Sequence, residues 1–513
     1  MTETVSFILV FIVLSLLVAA ADIVRKKFNV NAKSTRMFLH AGVAAVVFFA
    51  PLLFQSKLYP ALLAAVFIVV NFVSVKLGMF QGMNVDKKNL GTVYYPISFF
   101  ILVMLLWDNY PLVVSTAMLV MGLADPAAAI VGSALKNTHE VFAFGERKTF
   151  EGSAAMFAVA SAAVLIGALF FRQSSVAISD LPIETLFNIA VSIGLMVAAV
   201  ELVSPKATDN LTVPLSAAVL IYISASNQML FDAFMVGEFL AAIVAVVSYK
   251  LKLLTKDGAV ATFILGGFIF GFGGWKWSTP ILAFFIIGSL ASKLFSKRKV
   301  SYNLLYEKSH TRDSAQAFAN GGFALLMLIC NVLSPNYHWF LAYLGALTAV
   351  TADTLATEIG VFSRTNPFSL SLWKRVEKGV SGAISPLGTI AGLISAAVLA
   401  VLTLPFAGGY AAFPIRFVAA GAFSGALGSL ADSLLGGTFQ SQYQCATCGK
   451  ITERKKHCKG QETTLVQGYR WMNNDVVNFA ASIVGAVAFP LLFLLIPTTS
   501  TSTSFLSHSN YPY

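Results

Sequence analysis

Apolar runs of roughly 15 to 22 residues follow one another almost from end to end of the chain, with short polar stretches between them. That length and spacing suit helices crossing a lipid bilayer. Sixteen spans are predicted, at about 5–20, 37–54, 59–75, 90–107, 111–131, 153–171, 186–203, 211–225, 232–249, 258–271, 277–292, 316–333, 338–361, 383–404, 416–436 and 474–496. Several are short, as broken or re-entrant helices are. The chain therefore reads as all-α, a polytopic integral membrane protein of about sixteen helices in two fused helical bundles. The first covers residues 1–235 and the second 258–496, with a junction at 236–257, a polar loop at 438–470 and a polar tail at 497–513.

Composition agrees: 57% of the 513 residues are hydrophobic and 12% are charged. A net charge of +11 could point to nucleic acid, but its placement points to membrane topology instead. With the N-terminus outside, Lys57, Arg172, Lys276 and Arg416 alone fall on the outer face, which leaves 31 of the 35 Lys and Arg residues (35 − 4) on the inner one. Basic loops mark the cytosolic side. Both termini are then outside and the basic loops cytosolic. The first residues, Met-Thr-Glu-Thr-Val-Ser, lack the positive charge of a cleaved signal peptide. Four cysteines are too few for a disulfide scaffold.

One stretch breaks the apolar pattern most sharply. Thr351-Ala-Asp353-Thr-Leu-Ala-Thr-Glu358-Ile-Gly360 ends a predicted membrane helix yet holds two carboxylates and three hydroxyls. Ionisable groups at membrane depth are costly and usually face a polar cavity. A loop with Arg364, Lys374, Arg375 and Lys378 follows, then Gly379-Val-Ser381-Gly382. Hard oxygens suit Mg²⁺, and cations with free backbone N–H groups suit phosphate. The alternative is a polar helix end with a solvated loop.

Related elements recur. Arg36 and His40 lie four apart on one helix face, where they either line a site or snorkel to the interface. Ala124-Asp125-Pro-Ala-Ala closes an inward-running span, and Gly145-Glu-Arg-Lys148-Thr149-Phe-Glu151-Gly-Ser lies in the loop beyond it. Asp209-Asn210-Leu-Thr-Val-Pro opens span eight. Arg-x-x-x-His-x-Gly, Asp-Pro-Ala-Ala, Lys-Thr-x-Glu-Gly-Ser and Asp-Asn-Leu-Thr-Val-Pro, in this order, resemble the phytol kinase and dolichol kinase family over residues 20–235. That resemblance implies phosphorylation of a long isoprenoid alcohol, generally from CTP, and kinship with membrane cytidylyltransferases.

In the second half, Arg312, Gln316 and Asn320 form one polar helix stripe with Asp313 at its edge, which suits a cavity wall. Gly428-Ser-Leu-Ala-Asp432-Ser repeats the Ala-Asp-small element, and Asn474 and Asp475 share a helix face with Asn478. Asp-x₆-Asn-Gly-Gly, Ala-Asp-Thr-x-Ala-Thr-Glu-Ile-Gly, Gly-Ser-Leu-x-Asp-Ser-Leu-Leu-Gly and Asn-Asp-x-x-Asn resemble a membrane family that includes plant and cyanobacterial phytyl-phosphate kinases, over residues 250–495. It implies a second phosphoryl transfer, from isoprenyl monophosphate to diphosphate.

Asp125, Asp353 and Asp432 thus sit near the cytosolic ends of helices that run the same way. Carboxylates there would hold Mg²⁺ and the polyphosphate of CTP or another nucleoside triphosphate. Asp125 is assigned to metal or to activating the alcohol, with Lys148 and Thr149 at the nucleotide phosphates. Asp353, Glu358, Asp432 and Asp475 are the metal or base candidates of the second half. Arg312, Lys378, Gly379, Ser381 and Gly382 would contact phosphate. Arg36, His40, Glu151, Asp209, Asn210, Asp313, Asn320, Asn474 and Asn478 complete the polar cavities. The expected partners are the bilayer, an isoprenoid alcohol or phosphate and a nucleotide, with no nucleic acid. A CDP-lipid-forming cytidylyltransferase and a secondary transporter are the alternatives.

Cys445, Cys448, His457 and Cys458 supply four candidate Zn²⁺ ligands in loop 438–470, although the adjacent His and Cys would need a sharp bend to share an ion. Cys330, inside an apolar run, reads as packing.

Overall fold

The computed structural model describes residues 2–78, 90–135, 138–172, 181–295, 311–378, 380–458 and 460–497. These divide into two compact units, Met1–Tyr249 with Leu254–Gly267, and Lys250–Leu253 with Phe268–Tyr513.

The first unit is built from α1 (Glu3–Phe28), α2 (Ala32–Phe48), α3 (Ala50–Leu53), α4 (Leu58–Leu77), α5 (Gly91–Leu106), α6 (Pro111–Ala134), α7 (Phe150–Phe170), α8 (Ile183–Val203), α9 (Asp209–Ser226) and α10 (Gln228–Lys250). The helical stretch α11 (Lys256–Phe295) runs from this unit into the second. The second continues with α12 (Ser314–Leu333), α13 (Tyr337–Gly360), α14 (Pro386–Thr403), α15 (Pro414–Thr438) and α16 (Asn474–Leu495).

Each of the sixteen predicted spans falls on a helix, with two departures from a simple one-to-one match. Spans 258–271 and 277–292 share α11, which is interrupted at Gly274 by a left-handed backbone (φ 55°) that glycine tolerates. Span 37–54 is α2 followed by the single turn α3, divided at Phe49, two residues ahead of Pro51, whose ring cannot continue the ladder. Among the described residues, twelve helices are long and apolar enough to cross a membrane by length and composition, and Gly91–Leu106 is a shorter apolar one. The protein is an all-α polytopic membrane protein.

Loops between helices add small sheets. β1 (Glu140–Ala143) and β2 (Glu146–Thr149) form an antiparallel hairpin ahead of α7. β3 (Phe368–Ser369), β4 (Lys374–Arg375) and β5 (Ala383–Ile384) make a sheet of order β4-β3-β5 between α13 and α14. β6 (Gln442–Cys445), β7 (Ile451–Thr452), β8 (Lys456–His457) and β9 (Gln461–Gln467) make one of order β7-β6-β9-β8 between α15 and α16.

α13 is the central helix of the second unit. Its N-terminal half is buried in an aromatic core: Trp277 and Tyr343 rings lie 4.8 Å apart, the Tyr343 hydroxyl donates to the Trp277 carbonyl, and Phe417 packs on Phe489 at 5.4 Å. Further along, small residues bring neighbouring backbones close. A Cβ at Gly425 of α15 would stand 3.0 Å from the Thr348 carbonyl oxygen, and one at Gly392 of α14 2.9 Å from that of Ala352. Gly345 and Gly485, on α13 and α16, each take the space a side chain on the other would need. Close backbone approach replaces the hydrophobic drive that lipid does not supply.

Candidate functional site

Beyond that core α13 turns polar, and there the second unit encloses a cavity of about 300 Å³. Asp353 and Glu358 enter it from α13, Asp432 from α15, Asn474 and Asn478 from α16, Asn320 from α12 and Arg312 from just ahead of that helix. Helical spacing explains the set: 474 and 478 are one turn apart on a face.

Ser429 Oγ donates to Asp353 Oδ1 at 3.4 Å. Asp432 Oδ2 is buried and has no hydrogen-bond partner among the described residues, and neither has Asn478 Oδ1. Orphaned buried acceptors on a polar wall suit a cation. Glu358 Oε1 accepts from Ser292 Oγ at 3.1 Å, and Glu358 is the carboxylate that acts on the Arg312 guanidinium. Arg312 also stacks over Phe284, 5.1 Å from the ring centre.

The loop after α13 closes one side. Lys378 lines the cavity, and its Nζ donates to the Val361 and Ser363 carbonyls at 3.2 and 2.7 Å, at the C-terminal end of α13 where cations are favoured. Ser381 and Gly382 line it too, whereas Gly379 lies outside the described residues. Gly382 has φ 74°, and a Cβ there would collide with the backbone of Ser433 and Gly437. Its lack of a side chain lets the loop lie against the last turn of α15.

Two expected residues stand elsewhere. Asp475 is buried but is not among the residues lining the cavity, because it points about 100° around the helix from Asn474. Asp313 caps α12: its Oδ1 accepts from Gln316 N at 2.9 Å, and its own N–H bonds to Gln316 Oε1. In exchange the cavity gains Glu453, which nothing in its local sequence signals. Gln440 Nε2 donates to Glu453 Oε1 at 2.9 Å, and Gln440 Oε1 accepts from Ser381 Oγ at 3.1 Å.

The first unit carries its own charged cluster. Lys148, at the end of β2, reaches Glu201 Oε1 of α8 at 2.7 Å and Asp209 Oδ2 of α9 at 3.6 Å. Burial works against the Lys148 ammonium, but Glu201, Asp209 and Asp125 together hold its pKa above the ordinary value. Asp125, Lys148 and Asp209 are thereby neighbours, and Glu201 is the member the sequence reading missed; its only signal is a charge near a span's end. Asn210 Nδ2 donates to the Ala207 carbonyl at 3.1 Å and to Asp209 Oδ1 at 3.0 Å.

Thr149 serves as the N-cap of α7, its hydroxyl accepting from Gly152 N at 3.1 Å. Glu151 is engaged by His139, accepting from its backbone N–H and lying 2.8 Å from its Nδ1. Arg36 and His40 line a mostly apolar pocket of about 100 Å³ with Leu63, Phe67, Asn71 and Phe99, and the Arg36 guanidinium is also within electrostatic reach of Asp125. The loop residues Cys445, Cys448, His457 and Cys458 gather at one point of the second unit.

The fold and cavity define a polytopic membrane protein whose second unit encloses an acid-bearing polar site. Residues 239–486 match the family described as integral membrane protein DUF92. A membrane protein of Methanocaldococcus jannaschii, described as uncharacterised, is 28% identical over 259 residues, covering 50% of this chain and 93% of its own. Protein VTE6, chloroplastic, of Arabidopsis thaliana is 22% identical over 244 residues, covering 47% of this chain and 65% of its own. A phytol kinase of Synechocystis is 26% identical over 211 residues, covering 41% of this chain and 87% of its own. No solved structure matches the chain.

Proposed function

We propose that the protein is a membrane-embedded isoprenoid kinase, and that the cavity of the second unit transfers a phosphoryl group from a nucleoside triphosphate to an isoprenyl monophosphate. The observation that carries this is the meeting of Asp353, Glu358 and Asp432 with Arg312, Lys378 and the Ser381-Gly382 loop around one cavity. Distant similarity to a protein named phytol kinase and the phytyl-phosphate kinase-like motifs support the substrate class.

Asp353 and Asp432, with the side-chain amide oxygen Oδ1 of Asn478, would hold Mg²⁺, which when bound neutralises polyphosphate charge. Arg312 and Lys378 supply positive charge where negative charge builds on the transferred group. An oxygen of the acceptor phosphate attacks the terminal phosphorus in line; the bond to the bridging oxygen breaks, and the nucleoside diphosphate leaves with that electron pair. The acceptor phosphate is already ionised, so this transfer needs no general base. Gly392, Leu393, Ala426 and Leu430 form the apolar part of the wall, and Leu427, Leu430 and Leu434 are exposed along α15. A prenyl tail would lie there with its head group against the acids.

For the first unit the proposal is transfer to the isoprenoid alcohol. Asp125 would take the hydroxyl proton or bind metal, and Lys148 would face the nucleotide. The test is purified protein given CTP or ATP with phytol, geranylgeraniol, phytyl phosphate or phosphatidic acid. Phytyl diphosphate formed from phytyl phosphate supports the reading. A CDP-lipid from phosphatidic acid, or no turnover of any acceptor, rejects it.

A further inference from the structure

We propose that Cys445, Cys448, His457 and Cys458 bind one structural Zn²⁺, and that this clamp holds the loop that presents Glu453 to the cavity. Their ligand atoms all lie within 4.8 Å of one another. His457 Nδ1 is 3.5 Å from Cys448 Sγ and 3.2 Å from Cys458 Sγ. A tetrahedral zinc with bonds of about 2.0–2.1 Å to nitrogen and 2.3 Å to sulfur puts such ligands about 3.5 Å apart.

The backbone is shaped for this. Gly449 N–H donates to the Cys445 carbonyl at 2.8 Å and Gly449 has φ 69°, so Cys445 and Cys448 turn toward the same point. Cys458 has φ 40°, a left-handed conformation uncommon for a side-chain-bearing residue, and it supplies the bend that adjacent His and Cys need to face one ion. β6 ends at Cys445, and β8 ends at His457, with β9 paired to both. The sheet thus brings the two halves of the ligand set together. Three thiols bind as thiolates and release their protons to solvent. No other group of three or more His, Cys, Asp or Glu side chains is so clustered among the described residues.

Glu453 lies between the two ligand pairs. The stretch around it is tied down by Thr463, whose N–H donates to the Lys455 carbonyl at 3.1 Å and whose Oγ1 donates to the Arg454 carbonyl at 2.8 Å. From there Glu453 reaches Gln440, and through it Ser381. Its role at the cavity rests on the proposed function; the metal site does not, and the measurements below use no turnover.

The full chain, purified in detergent without chelator, should carry about one zinc by elemental analysis. Co²⁺ exchanged into it should show the d–d bands and sulfur-to-metal charge transfer of a tetrahedral thiolate site. C448S and C445S should lose the metal, and C330S should keep it. Zinc at background after incubation with Zn²⁺, or maleimide labelling of Cys448 as fast with zinc as after chelation, would overturn the site. Hydrogen exchange then reads the coupling. Zinc removal should speed exchange in peptides spanning 380–384 and 438–444 as well as 445–458. Faster exchange confined to 445–458 would overturn the positioning of Glu453.

Discussion

Lys148 and Glu201 form a buried pair in the first unit, Nζ to Oε1 2.7 Å, with side chains only 15% and 9% exposed. The same ammonium also donates to the Glu201 carbonyl, so it ties the hairpin to the end of α8. Removing one partner strands a charge. K148M should lower stability by about 3–5 kcal/mol, and K148M/E201Q should recover most of that, as read by thermal unfolding in detergent. A double variant no more stable than K148M would sink the account.

The pH dependence of this pair has a definite sign. The folded-state pKa of Lys148 lies above the ordinary 10.5. Its contribution is therefore complete below about pH 10.5 and fades only as pH rises through the higher folded value. The advantage of wild type over K148M should persist below about pH 10.5 and disappear only at strongly alkaline pH; the check is unfolding temperature against pH.

Phosphoryl transfer to the monophosphate should fall roughly 100- to 1000-fold in D353N and in D432N, since each removes charge from the cavity that holds both. D125N should spare this activity and abolish phosphorylation of the alcohol. Loss of the same single activity in D125N and D353N would contradict two separate sites.

Divalent metal should be required. EDTA should stop transfer and Mg²⁺ restore it. D432N should raise the Mg²⁺ concentration giving half-maximal activity, because Asp432 Oδ2 is a buried oxygen with no hydrogen-bond partner among the described residues. Titrations of Mg²⁺ at saturating nucleotide separate this from a general loss of activity.

Gly425 faces Ala396 of α14 as well as Thr348 and Ala352 of α13. G425V should cost about 1–3 kcal/mol by overpacking, seen as a lower unfolding temperature. G408A, with open space around the Cβ position, is the comparison for side-chain crowding, although its φ of 58° adds backbone strain.

Helix positions and much of the second unit's cavity were legible in the sequence because both depend on local pattern. Apolar length marks a span, and a repeat of four sets Asn474 and Asn478 on one face. Asp353 and Asp432 were legible because charge in an apolar run needs a polar wall. Asp475 was expected on the face of Asn474 and Asn478, but successive helix residues stand about 100° apart, and it does not line this cavity. Glu453 left no local signal and Glu201 only a charge near a span's end, because tertiary contacts bring them in: one through Gln440, the other through Lys148. The small sheets of the loops were unforeseen too, since strands of two to seven residues leave too short a pattern to read.

The glycines along α13 have a mechanical consequence. Gly345 meets Gly485 of α16, while Gly425 and Gly392 bring α15 and α14 against its carbonyls. Main chain rests on main chain, with no long side chains as cushions between. The gap separating Asp353 from Asp432 is thus inherited from skeletal geometry. A thicker or thinner bilayer that tilts the bundle carries both carboxylates together, as two teeth of one casting.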